Sequence, residues 1–253
     1  MKTQTQLPEF KGIPLIEISE NIPQADFLQG DFGKAVLEEY QERVKEEYND
    51  NKNLKVLEYE DEVIKGSNPF AICLVNQIVR EEGLRTATQS DLEKILKLNA
   101  LNLRGFYEDT SLILRSEDEP NSYLAKDLSE QIKQRQELKY PVMIQLYGLE
   151  LRNDEDSNYS LAFNLRDDSE IIYVPILNEN SENFSSQDID EKIGLPKKLG
   201  EGERYFYTGD SGLSRLSLDD ELGLGSLDYH LADSDGDGRV VLVKTGEAGS
   251  QKI

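Results

Sequence analysis

The sequence has no tryptophan, one cysteine and one histidine in 253 residues. Cys73 alone allows no intramolecular disulfide, and one thiol with one imidazole, His230, does not make a Cys/His zinc cage. Neither a disulfide framework nor a structural zinc site is expected. Basic residues are scarce: 28 Lys plus Arg stand against 50 Asp plus Glu, a formal charge of -22. Such a surface repels phosphate backbones and anionic lipid heads, which require clustered Lys and Arg and the counterion release they bring. Nucleic acid and membrane surfaces are therefore not expected as partners. Long apolar runs are missing too. The opening MKTQTQLPEF holds no apolar signal-peptide core, and no later stretch approaches the roughly 20 apolar residues of a membrane span. Sec-type secretion and anchoring are not expected, which leaves a cytoplasmic or virion-associated, tail-fibre-like location. What is present, 37% hydrophobic and 31% charged residues, suits a globular chain able to bury a core without covalent staples.

Along the chain, Ile13 to Ile18 reads as a short strand. Asp31 then caps a helix whose Val36, Tyr40, Val44 and Tyr48 recur every four residues, giving one apolar face. Leu54 to Ile64 looks extended and ends at Gly66. Asn68 is an N-cap with Pro69 at the first helical position, and the apolar helix through Ile72, Val75, Ile78 and Val79 stops at Gly83. Thr88 and Asp91 form the capping signature of the next helix, with Leu92, Ile95 and Leu96 as its stripe. These two helices are expected to pack as a pair. Phe106 to Leu114 returns to strand, and Ser122 to Gln136 is a helix with Leu124, Leu128 and Ile132 on one line. Val142 to Leu151, Ser160 to Leu165 and Ile171 to Leu177 are β-rich, and residues 178–202 read as a long surface loop. Helices gathered ahead of a run of strands predict an α+β fold rather than an alternating parallel sheet.

The last fifty residues carry the most information. Leu213, Leu216, Leu218, Leu222, Leu224 and Leu231 recur, often at spacing two, as side chains pinned into a core from an extended backbone would. Between them stand small or polar residues: Ser217, Asp219, Asp220, Gly223, Gly225, Asp228, Tyr229, His230, Asp233, Asp235, Gly236 and Asp237. A fixed ladder thus presents a polar set to solvent. Gly238 and Arg239 close the segment, and Val240 to Val243 reads as a buried terminal strand.

This segment resembles the variable region of proteins diversified by diversity-generating retroelements. The likeness rests on Leu213-Ser214-Arg215-Leu216, Leu222 and Leu224 with Ser226, Leu231-Ala232 with Ser234, and Gly238-Arg239-Val240-Val241. In such systems template adenines are miscopied, so an Asn codon becomes Asp, Gly, Ser, Tyr or His but not Lys, Glu, Gln, Met or Trp. Every interleaved residue named above lies in the reachable set. Glu221 does not, and Leu227 is reachable without being assigned to scaffold or variable set. The resemblance implies a C-type lectin-like fold of the formylglycine-generating-enzyme kind over residues 66–253, with a variable region at about 213–243 and residues 1–65 as an N-terminal extension packed on it. Leu84-Arg85-Thr86-Ala87-Thr88 with Asp91-Leu92-Glu93 is similar to that group's Arg-Leu-Pro-Thr helix opening, minus the proline. Gly238-Arg239-Val240-Val241 is similar to its final Gly-Phe-Arg-Val strand, minus the aromatic. The formylglycine-generating enzymes use paired cysteines, so that chemistry is not expected here.

The implied function is non-enzymatic binding of a varied ligand, expected to be a protein, with no cofactor and no oligomeric state specified. An alternative is a calcium-dependent carbohydrate-binding module, and a hydrolase using acidic residues is a third class. Asp233, Asp235, Asp237 and Gly238 match the opening of an EF-hand loop. Lys244, however, occupies the twelfth position, where a bidentate Glu is needed. Glu119-Pro120-Asn121 copies the sugar-binding tripeptide of calcium-dependent lectins but stands just before a helix. His230 reads as a contact residue in a polar loop, and Cys73 as a core thiol.

Overall fold

The computed structural model describes residues 9–10, 13–14 and 24–244. The fold is α+β. Strands β1 (Glu9–Phe10) and β2 (Ile13–Pro14) form a short hairpin, and residues 15–18 of the expected first strand lie outside the described residues. After β3 (Ala25–Phe27) comes helix α1 (Gly30–Glu46), which starts one residue before Asp31 and buries Val36, Tyr40 and Val44. Strands β4 (Glu58–Glu60) and β5 (Val63–Lys65) form a hairpin turned at Asp61 and Glu62, both at positive φ. Helix α2 (Pro69–Val79) has its expected cap: Asn68 Oδ1 accepts from the Ala71 amide at 2.8 Å. It ends through a short 3-10 turn at Gly83, φ +69°.

Strand β6 (Leu84–Thr86) leads into α3 (Gln89–Leu98), which opens with a full capping box between Thr88 and Asp91. Strand β7 (Glu108–Leu114) and helix α4 (Ser122–Lys133) follow. The second half is mostly strand: β8 (Val142–Gln145), β9 (Leu149–Asn153), β10 (Leu161–Leu165), β11 (Ile171–Tyr173), β12 (Glu182–Phe184), β13 (Arg204–Thr208), β14 (Leu213–Leu218), β15 (Leu224–Ser226) and β16 (Val241–Lys244).

Seven of these strands make the main sheet, in the order β11-β8-β7-β14-β15-β13-β12, with only β13 and β15 parallel. Alternation along the strands sends side chains to opposite faces. Leu112, Leu114 and Leu213 join α1, α2 and α4 in one hydrophobic cluster, whereas Ile113, Leu216, Leu218, Leu224 and Phe206 join α3 in a second. A three-stranded sheet, β3-β16-β6, sits between them: Leu242 belongs to the first cluster and Val241 and Val243 to the second. Residues 25–46 thus share a core with the strands near the other end of the chain.

Two expectations need correction. Helices α2 and α3 do not share a cluster, because β6 pairs with β16 between them and carries the chain from one core to the other; α2 packs on α1 instead. Residues 178–202 are not simply a surface loop. They supply the edge strand β12 and the buried Phe184, Ile189 and Leu195, whose few apolar side chains are all spent on the second cluster. Among the described residues no helix is long and apolar enough to cross a membrane.

Candidate functional site

The site is built on β14 and β15. Leu213, Leu216, Leu218, Leu224 and Leu231 are all fully buried and Val241 nearly so, as the ladder requires; Leu222, expected as a rung, is at φ +71° in the β14–β15 turn and only half-buried. On the opposite side of the hairpin Ser217 pairs with Gly225, and the parallel neighbour places Tyr207 beside Gly225. Phe206 points with Leu224 into the core, so Tyr205 and Tyr207 stand on the outer side, half exposed, with ring centroids 4.6 Å apart. An outer strip of Ser217, Gly225, Tyr207 and Tyr205 therefore crosses three strands.

The segment after β15 folds back over the sheet and is held by Arg215. Its Nε donates to Asp228 Oδ2 at 2.7 Å and its Nη1 to the Asp233 carbonyl at 3.0 Å. The same guanidinium lies 3.6 Å from Asp109 Oδ1 and 5.5 Å from the centre of the Tyr107 ring. Asp109 is buried and also accepts from Ser67 Oγ at 2.7 Å. Burial raises its pKa, with Arg215 and Ser67 opposing.

Further hydrogen bonds fix the loop. Asn121 donates its amide to the carbonyls of Leu213 and Tyr229, both at 2.8 Å, and accepts from Tyr159 Oη at 2.9 Å. Asn68, besides capping α2, donates to the Ala232 carbonyl at 3.0 Å. Ser234 Oγ accepts from the Ser67 amide at 2.9 Å.

The expected polar set divides in two. Asp219, Asp220 and Gly223 lie in the β14–β15 turn, and Asp228, Tyr229, His230, Asp233, Asp235, Gly236 and Asp237 in the loop after β15. Both parts meet at one edge: the Gly105 amide donates to the Asp220 carbonyl at 2.8 Å and the Tyr107 amide to the Asp237 carbonyl at 3.2 Å. Asp220, His230, Asp233, Asp235, Gly236 and Asp237 are exposed, as is Leu227. Ser217 and Gly225 are half-buried on the strip.

Four positions depart from a purely presented role. Gly223 is buried, and a Cβ there would meet Asp219 Oδ2 at 2.4 Å and the Tyr205 carbonyl at 2.8 Å. Asp219 turns inward to accept from the amides of Glu221 and Gly223, at 3.0 and 2.5 Å, and burial raises its pKa. Asp228 is committed to Arg215. Tyr229 is half-buried, its hydroxyl 2.9 Å from where a Cβ on Gly209 would stand. Composition marked these four as reachable residues, but it carries no information on which short polar side chains are consumed by their own turn.

Arg215, Tyr205 and Tyr207 were not among the expected site residues. The alternation Tyr205-Phe206-Tyr207 was a legible signal for two outward aromatics; the hub role of Arg215 had none, since its partners are distant in sequence. Asp233, Asp235 and Asp237 do not converge: among the described residues no group of three or more His, Cys, Asp or Glu is placed to hold a metal ion. Asp235 instead accepts from the Asp237 amide at 3.0 Å. The Glu119-Pro120-Asn121 tripeptide is the approach to α4, and both polar atoms of the Asn121 side chain are used within the fold. Cys73 is buried, and burial pushes its thiol pKa upward, which keeps it a neutral core thiol. The chain matches no protein-family model, no curated protein and no solved structure.

Proposed function

We propose that this chain is a non-enzymatic ligand-binding protein with a C-type lectin-like fold, whose residues 213–243 present a surface diversified by a retroelement. One observation carries the reading: in this segment every recurring leucine but Leu222 is buried, while every residue of the reachable polar set between them except Gly223 is exposed or half-buried. A diversified site needs that division, because side chains can vary without cost only where they take no part in packing. The strip of Tyr205 and Tyr207 extends the surface with aromatic area that costs little conformational entropy on binding. Asp220, Asp233, Asp235 and Asp237 make it acidic, so the partner is a protein presenting Lys and Arg rather than a polyanion.

Sequencing the coding locus and its flanks from several isolates tests the proposal. A nearby reverse transcriptase and a near-copy of the stretch encoding residues 213–243 should be found, with differences at template adenines and confined to codons for the interleaved residues. Absence of the repeat, or substitutions that fall equally on the leucine codons, overturns it.

A further inference from the structure

A concave surface lies on the α3 side of the main sheet, apart from the loop held by Arg215. A cavity of about 900 Å³ opens between α3, the segment that follows it and the turn at residues 186–191, within the size range of sites that enclose small organic ligands. Among a mixed polar and charged lining, Leu96, Leu98, Leu101, Leu103, Ile189 and Leu222 supply an apolar wall. Leu98 is 50% exposed, a large aliphatic side chain left uncovered beside a cavity.

The charges around this groove are not equivalent. Arg204 and Glu93 are both nearly buried and joined by two hydrogen bonds, at 2.6 and 2.7 Å, so they neutralise each other. Lys97 is engaged by Glu191 at 2.7 Å. Lys94 and Arg104 also line the cavity, yet among the described residues neither side chain has a hydrogen bond or an ion pair. Lys94 feels the Glu191 charge without a direct contact, and four cations against two carboxylates in the lining are a local reversal of sign in a chain with a formal charge of -22.

We infer that this groove binds a small amphipathic carboxylate: the hydrocarbon body lies along the leucines, and the acid group is held by Lys94 and Arg104. Burial of the apolar body supplies the driving force, and an anionic head gives the two cations a direct hydrogen-bonding partner. The inference is independent of the retroelement reading, since none of these residues except Leu222 belongs to the C-terminal segment.

Calorimetric titration of the full chain with decanoate, with decanol and decyltrimethylammonium as neutral and cationic comparators, tests it. Saturable one-site binding of decanoate is expected, with both comparators much weaker. The Lys94→Glu, Arg104→Glu double variant should bind decanoate about tenfold or more weakly, the loss of charge-assisted contacts, while keeping the wild-type circular dichroism. His230→Ala should leave the affinity unchanged. Methyl NMR shifts on binding should centre on Leu98 and Leu101. Absence of saturable binding, equal affinity for decanol, indifference to the double charge reversal, or shifts centred on β13 to β15 would each overturn the assignment.

Discussion

Glu108 occupies the least favourable setting of any acidic side chain described. It opens β7 opposite Leu218, is 3% exposed, and neither carboxylate oxygen has a hydrogen-bond partner among the described residues. Burial pushes its pKa up to about 8, against the pull of Arg239 and with a small push from Asp109. The folded state therefore holds a proton that the unfolded chain releases near its ordinary value of 4.5. Stability from this group is complete below that ordinary value and falls as pH rises through about 8. Glu108→Gln removes the titration. Relative to wild type, the variant should gain about 1 to 3 kcal/mol at pH 9, the scale of an unmatched buried group, with the gain shrinking toward pH 5. Urea denaturation across that pH range checks it, and a difference that does not change with pH would assign the raised pKa no role in stability. The sequence did not single out Glu108, because a charged residue at the start of a strand ordinarily faces water.

At the scale of elements, local chemistry was legible and long-range pairing was not. The caps at Asn68 and Thr88 were readable because their hydrogen bonds close within three residues, and the apolar lines of α2 and α4 because a helix repeats its face every turn. The β4–β5 hairpin was missed: Asp61 and Glu62 adopt positive φ without the Asn-Gly or Asp-Gly pair that signals such a turn. The separation of α2 from α3 depends on β6 pairing with β16, a strand well over a hundred residues away in sequence. The loop after β15 poses the same problem, since its clamp, Arg215, draws on Asp109, Asp228 and Asp233 at once. Arg215→Ala strands the buried Asp109 carboxylate and should cost about 3 kcal/mol, as breaking a buried ion pair does. Asp228→Asn keeps an acceptor for the His230 amide and should cost about 1 kcal/mol. Equal costs in guanidinium denaturation would mean that the Asp109 contact contributes nothing.

For the molecule as a whole, the C-terminal segment is woven through both sheets. Strands β14 and β15 sit inside the seven-stranded sheet and β16 is central in the three-stranded one, so the outer residues hang from rungs that belong to two cores. The leucine periodicity revealed those rungs in the sequence. It could not reveal that Gly223 and Asp219 are used up in their own turn, or that Tyr205 and Tyr207 widen the surface from a neighbouring strand. The proposed binding surface depends on this division between fixed rungs and free outer positions. Its most direct test is the unfolding free energy of two variants: Leu224→Ala, and one chain carrying Asp220→Ser, His230→Asn, Asp233→Tyr and Gly236→Asn together. A loss of about 2 to 5 kcal/mol is expected for the single buried change, and a value within about 1 kcal/mol of wild type for the four exposed ones combined. A fourfold variant that unfolds, or a Leu224→Ala chain as stable as wild type, would contradict it.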